Sequence, residues 1–146
     1  MVEVYSDADE VELLVNGRSV GRKKTERCKA LFDTVYEPGA LTAINIRHGK
    51  SAEQDRLMTA SDDVHIVETD LGGGTVELSV KDKEGVLNPE AVLTITAETK
   101  GERTILGFGT ADPKSEENYF DKTIQTYHGR ALIVTRGAGE LKIEER

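Results

Sequence analysis

The sequence has 146 residues, of which 37% are hydrophobic and 32% are charged, and its net charge is −8 at pH 7. This length suits one ordinary domain or two small ones. The acidic balance excludes a general polyanion-binding surface, because neutralising phosphates requires clustered Lys and Arg, and we therefore predict no nucleic-acid partner. No apolar run has the length of a membrane span, and the single cysteine, Cys28, allows no intrachain disulfide.

The first part of the chain predicts a meander of short strands. Val11, Leu13 and Val15 recur at every second position, which is typical of a half-buried strand. Asn16-Gly17 then supplies the two residues that most readily adopt positive φ, as a type I′ hairpin turn requires. The predicted strands are residues 2–5, 10–16, 18–24, 30–36, 41–47 and 52–58, with 41–47 in a central position because it is apolar on both faces.

A short polar stretch at residues 59–63 follows this meander, and we place a domain boundary there, between modules 1–60 and 61–146. The second module has predicted strands at residues 64–68, 75–81, 92–98, 104–108, 119–127, 130–136 and 140–144, with a flexible loop at 71–74. A dozen or so short strands with turn signals and no convincing helical segment predict an all-β chain of antiparallel sandwiches. The chain opens directly in a strand, so we expect a truncated first strand and a piece of a longer protein.

Several side chains have predicted positions in these sandwiches. Phe32 and Tyr36 are expected in the core, as are the inward-facing residues of strand 75–81. Cys28 is expected to be a small, partly buried strand residue rather than a nucleophile. The basic residues that follow the hairpin turn are expected to mark an edge strand, where charge blocks further pairing; they are Arg18, Arg22, Lys23, Lys24 and Arg27.

Three ordered stretches carry a resemblance to a known family. They are residues 2–13 with Asn16-Gly17 and Gly21, the Tyr-x-Pro-Gly-x-Leu-x-Ala pattern at residues 36–43, and the Gly-x-Gly-x-x-Asp-Pro-x-Ser pattern at residues 107–115, followed by 129–134. Together they resemble the C-terminal region of glycoside hydrolase family 2 enzymes, the β-galactosidase family. The resemblance covers nearly the whole chain and implies two tandem immunoglobulin-like antiparallel β-sandwich domains, the first covering residues 1–60 and the second 61–146.

The family carries its two catalytic glutamates in a (β/α)8 barrel, which the resemblance places before residue 1. It therefore implies a fragment with no catalytic residue and no cofactor or metal of its own. The implied partners are the catalytic barrel and other domains of a parent glycosidase, and a homo-oligomer formed through that parent. A bacterial source is expected, and the compartment stays open between the cytoplasm and export with the parent.

The loop that begins at Gly107 is the best candidate for contacts with the parent chain. Loops on a rigid sandwich often carry contacts, and Gly107 and Gly109 allow close backbone approach. Asp112 and Ser115 supply polar side chains in the same loop. The alternative is that Asp112 and Ser115 only satisfy the loop's own backbone, and the sequence favours neither.

Sugar-binding sandwiches use exposed aromatic platforms, because the apolar face of a pyranose packs on a ring. The chain has no Trp, and the candidates are Tyr5, Tyr119, Phe120 and Tyr127. Cross-strand packing is the alternative role for aromatic residues in strands. Two other functions therefore stay open: a stand-alone carbohydrate- or protein-binding module, and a sugar-binding appendage of the parent.

Metal and catalytic sites receive little support from the sequence. Asp7 with Asp9, and Asp62 with Asp63, could hold a hard cation if carbonyl groups joined them, but acidic turns are usually solvated turns. The three histidines are far apart in the sequence. Most carboxylates alternate with apolar residues and are expected to point to solvent, so no pair stands out as a glycosidase acid and nucleophile.

Overall fold

The computed structural model describes residues 1–145, all of whose regular elements are β-strands. Arg146, the last residue of the predicted second module, lies outside the described residues. The chain divides into two compact units, the first Met1–Thr59 and the second beginning at Ala60. Over residues 1–145 no helix has the length and apolar character that crossing a bilayer would require.

The first unit consists of two antiparallel sheets. One sheet pairs β1 with β4, and the other has the strand order β3-β2-β5-β6. The strands are β1 (Val2–Tyr5), β2 (Glu10–Val15), β3 (Arg18–Lys24), β4 (Lys29–Phe32), β5 (Ala40–Arg47) and β6 (Lys50–Met58). The central position predicted for residues 41–47 is confirmed, because β5 pairs with β2 on one side and β6 on the other.

The predicted hairpin joins β2 to β3. Asn16 and Gly17 take φ values of 49° and 77°, the positive values that a two-residue turn of this kind requires. On β2, Val11, Leu13 and Val15 are buried, as their alternation predicts. β3 lies at the sheet edge and carries four of the basic residues predicted to mark an edge strand, Arg18, Arg22, Lys23 and Lys24. The fifth, Arg27, lies in the turn between β3 and β4.

The core of the first unit forms where its two sheets face each other. Val11 and Leu13 from β2 pack with Ala30 and Phe32 from β4, and all four are buried. Apolar side chains from β1, β3 and β5 complete this core. Because apolar and polar residues alternate along these strands, the apolar faces of the two sheets pack together and form one sandwich.

The second unit is also built from two antiparallel sheets. Their strand orders are β10-β12-β8-β7 and β11-β9-β13. The strands are β7 (Val64–Gly72), β8 (Thr75–Asp82), β9 (Thr94–Thr99), β10 (Thr104–Gly109), β11 (Thr123–Gln125), β12 (Arg130–Arg136) and β13 (Leu141–Glu145).

Both sheets of the second unit contribute to its core. Leu78 from β8 and Ile133 from β12 pack with Ile95 from β9 and Ile124 from β11, and all four are buried. Phe108 from β10 is the largest buried side chain among them. The inward positions predicted for strand 75–81 are confirmed, and the chain has the all-β sandwich fold that the sequence predicts.

The predicted strand 30–36 is wrong beyond Phe32, where β4 ends. Phe32 is buried as predicted, but Tyr36 is 73% exposed, so its predicted core position is wrong. The chain leaves the sheet before Pro38, which has no N–H to donate to a ladder. Outside the sheet, the Tyr36 hydroxyl lies 3.1 Å from Thr59 Oγ1.

The predicted burial of Cys28 is also wrong, because this residue is exposed. Arg27 and Cys28 form the centre of a tight turn with φ values of 51° and 60°. Glu26 and Lys29 close that turn through two backbone hydrogen bonds of 2.8 and 3.1 Å. The turn has no glycine or asparagine at its centre, so it carries none of the usual sequence signals.

Two predictions in the second unit are corrected by the strand bounds. The predicted loop at residues 71–74 is a tight turn, because β7 continues to Gly72 and β8 begins at Thr75. The predicted extended segment 119–127 contains only the short strand β11. Turns precede β11, and the Asn118 side chain accepts a hydrogen bond from the Phe120 N–H at 3.0 Å within one of them.

Candidate functional site

The predicted strand 104–108 overlaps the predicted contact loop, which begins at Gly107. The structure places both Gly107 and Gly109 in strand β10 (Thr104–Gly109), so the loop prediction is wrong for these two glycines. Phe108 lies between them and points into the core. The N–H of Phe108 donates to the carbonyl of Tyr119 at 2.7 Å, which ties the following turn to this strand. The irregular part of the predicted contact loop therefore begins at residue 110.

Asp112 and Ser115 both bind the backbone of their own loop. The Asp112 carboxylate accepts the Lys114 N–H at 2.9 Å, and the Asp112 carbonyl accepts the Ser115 N–H at 3.3 Å. The Ser115 hydroxyl oxygen accepts the Glu117 N–H at 3.1 Å. These bonds give the loop a fixed shape.

The ring of Tyr119 packs directly on the backbone of Gly109. A Cβ atom at Gly109 would lie 2.4 Å from Tyr119 Cδ1, closer than carbon atoms approach without displacement. Only glycine leaves space for the ring here. The contact is made by the Cδ1–Cε1 edge of the ring, and Tyr119 as a whole is 64% exposed.

This ring forms one wall of a groove of about 560 Å³ on the second unit. Two of the predicted loop residues, Gly107 and Gly109, line the same groove as the predicted aromatics Tyr119 and Tyr127. Its other lining residues are Glu77, Phe108, Thr110, Ala111, His128, Arg130, Ala131, Leu132 and Val134. Proximity in the sequence does not predict this grouping, because pairing of β10 with β12 and of β12 with β8 creates it.

Asp112 and Ser115 lie beside this groove rather than in it. They line a separate small cavity of about 30 Å³, together with Gly109 and Tyr119. Tyr127 lines the large groove together with His128, and the centroids of the two rings lie 4.2 Å apart in an edge-on arrangement.

Tyr5 belongs to the first unit and lines a different cavity of about 300 Å³. The Lys29 ammonium lies 5.0 Å from the centre of its ring, as in a cation–π contact, and its hydroxyl donates to Glu3 at 2.8 Å. The hydrogen bond from Tyr5, together with Lys29, lowers the pKa of the Glu3 carboxyl. One face of the Tyr5 ring is therefore already occupied by a cation.

Asp82 is a buried polar residue that the sequence analysis missed. Its carboxylate accepts backbone N–H groups from Ser61 at 2.9 Å, Glu84 at 3.1 Å and Val86 at 2.8 Å. The Ser61 amide is the largest influence that lowers the pKa of this carboxyl. Asp82 thus fixes the entry to the second unit and the turn after β8, which is a structural role.

The acidic turn at Asp7 and Asp9, considered as a cation site, has other partners. Asp7 accepts a hydrogen bond from Arg47 at 2.5 Å, and Asp9 accepts the His48 N–H at 2.8 Å. Within residues 1–145, no three acidic, histidine or cysteine side chains are grouped as a metal ion would require.

Two family profiles match the chain. Residues 1–53 match a domain of unknown function, DUF4982. Residues 51–144 match glycoside hydrolase family 2 C-terminal domain 5. The second match covers more than half of the chain.

A curated relative and two solved structures extend this comparison. The chain is 31% identical to the β-galactosidase BoGH2A of Bacteroides ovatus over 93% of its own length, and it spans 17% of that protein. A glycosyl hydrolase family 2 member from Bacteroides cellulosilyticus superposes on 99% of the chain with a TM-score of 0.86 at 23% identity, and the match covers 20% of that protein. A β-glycosidase from Bacteroides vulgatus superposes on 95% with a TM-score of 0.78 at 22% identity, over 20% of its length. At these identities the two structures establish the fold.

Proposed function

The chain belongs to the glycoside hydrolase family 2 C-terminal domain 5 family, and from this premise we propose that it is the non-catalytic C-terminal region of a β-galactosidase-like enzyme. The observation that carries the proposal is the alignment of 93% of the chain with 17% of a β-galactosidase. The parent would hydrolyse O-glycosidic bonds with carboxylates in another domain. This region would act by bracing that domain or by building an oligomer.

A buried carboxylate in the second unit supports a structural role. Asp82, the buried carboxylate, binds three backbone amides, which lowers its pKa. A glycosidase acid needs the opposite shift, a pKa raised by an apolar or anionic setting. This carboxyl is therefore suited to holding a turn rather than to donating a proton.

We propose that the turn from Asp112 to Ser115 contacts another domain of the parent. Its backbone is held by its own side chains, so little conformational entropy would be lost when a partner binds. Both side chains are accessible at the surface of the second unit.

The test compares three proteins on p-nitrophenyl β-D-galactopyranoside: the isolated chain, the parent enzyme, and the parent without residues 1–146. We expect the isolated chain to be inactive and the parent to be active. The truncated parent should lose activity on heating at a lower temperature than the full enzyme, or should lose its oligomeric state. Hydrolysis by the isolated chain would contradict the non-catalytic role, and a parent inactive on β-galactosides would contradict its proposed activity.

A further inference from the structure

The groove on the second unit has a composition that the structural role does not explain. It combines an exposed aromatic ring, an apolar floor and a charged pair at one side. We propose that this groove binds a neutral pyranose sugar, as a monosaccharide or a short saccharide. Its volume of about 560 Å³ lies within the range of small-molecule sites, roughly 300–1,000 Å³.

The floor of the groove is the outer face of the sheet. Gly107 pairs with Val134, and Gly109 pairs with Leu132. Their neighbour Phe108 is buried on the opposite face, so these four positions face outward together. The two glycines remove side chains from one strand while the partner strand presents aliphatic groups, which leaves a shallow apolar surface.

The wall of the groove is the ring of Tyr119, and the backbone fixes its position. Phe108 N–H donates to the Tyr119 carbonyl at 2.7 Å, and the ring rests on Gly109. Gly109 meets the Cδ1–Cε1 edge of the ring, and Tyr119 stays 64% exposed. An exposed ring is the kind of surface on which the C–H face of a pyranose packs. Because the ring is already held in place, little entropy is lost when a ligand stacks on it.

The polar side of the groove carries the hydrogen-bonding groups that sugar hydroxyls need. Arg130 forms an ion pair with Glu77 through Nη1, and Ser79 donates to the same carboxylate at 3.3 Å. A guanidinium has five N–H donors, and a carboxylate has several acceptor sites, so the pair can both donate to and accept from hydroxyl groups.

The charges of the groove favour a neutral ligand. Glu77 and Arg130 neutralise each other, and the chain as a whole has a net charge of −8. A phosphate, a uronate or an acidic peptide would meet no excess of positive charge. A sugar without ionised groups matches this surface, because its C–H groups can pack on the apolar floor and its hydroxyls can hydrogen-bond to the Glu77–Arg130 pair.

The inference does not rest on the proposed function, because its test uses the chain alone. The ¹⁵N-labelled chain is titrated separately with methyl β-D-galactopyranoside, cellobiose and maltose, and amide resonances are followed. We expect at least one saccharide to produce saturable shifts centred on residues 107–111, 119 and 127–134. A dissociation constant near 1 mM corresponds to about −4.1 kcal/mol, which suits an open groove.

Three variants separate the groove from the rest of the surface. Tyr119→Ala removes the stacking ring and should weaken binding about tenfold. Phe120→Ala is the matched control, because this neighbouring side chain is 77% exposed and does not line the groove; its binding should be unchanged. Gly107→Val fills the floor while leaving Tyr119 in place, and nothing lies within 4 Å of the added Cβ, so the fold should persist while binding is lost.

Four outcomes would overturn the proposal. One is the absence of saturable shifts with all three saccharides. Another is equal loss of affinity in Tyr119→Ala and Phe120→Ala, or full affinity in Gly107→Val. The last is a set of groove shifts that depends on protein concentration without sugar, which would identify a second copy of the chain as the occupant.

Discussion

Replacing Leu78 by Ala should destabilise the second unit by about 3 kcal/mol. Leu78 is completely buried on β8, between Glu68 on β7 and Ala131 on β12. Removing its outer atoms loses the transfer free energy of a buried side chain, and it leaves a cavity that the two neighbouring strands cannot fill. For a domain of roughly 60–100 residues, this loss lowers the melting temperature by about 12–24 °C.

The assay follows thermal unfolding through the methyl resonances of Ile124 and Ile133, which lie in the core of the second unit. Leu71→Ala is the matched control, since Leu71 lies on the adjacent strand β7 and is 57% exposed. The control should change stability by less than about 0.5 kcal/mol. Equal shifts in the two variants, or a loss below about 1 kcal/mol for Leu78→Ala, would refute the burial argument.

Three further changes test the turns and the groove. The folded-state pKa of Asp82 lies below the unfolded value of about 3.9. The carboxylate therefore stabilises the fold above that pH, and this stabilisation is lost as the pH falls through the folded pKa. Asp82→Asn should flatten the acid side of a plot of melting temperature against pH. Asn16→Ala should cost about 1–3 kcal/mol in urea unfolding, because two hydrogen bonds of 2.8 and 3.0 Å and a residue suited to positive φ are lost. Gly109→Ala should lower the free energy of unfolding by about 1–3 kcal/mol and shift the ring resonances of Tyr119. In Gly107→Ala the added Cβ meets nothing within 4 Å, so stability and the Tyr119 resonances should stay nearly unchanged.

The parts of the fold that follow from local chemistry could be predicted from the sequence. Alternation of Val11, Leu13 and Val15 fixes which face of β2 is buried, because a strand repeats every two residues. Asn16-Gly17 fixes the hairpin, because these residues tolerate positive φ. These signals depend only on neighbours along the chain.

The parts that depend on residues distant in sequence could not be predicted. Tyr36 follows an alternating pattern, yet β4 ends before it and the ring is exposed. Cys28 sits in a turn without turn residues, so its exposure has no local signal. The groove needs the registers of three strands, which bring Gly107 beside Val134 and Leu132 beside Glu77.

The size of the native gene product shows whether this chain is part of a larger glycosidase. An antibody raised against this chain is used to probe a lysate of the source organism under denaturing conditions. We expect a band several-fold larger than 16.0 kDa, since the chain spans 17% of the β-galactosidase that it resembles. A single band at 16.0 kDa would contradict the claim that this chain is the C-terminal region of a larger glycosidase.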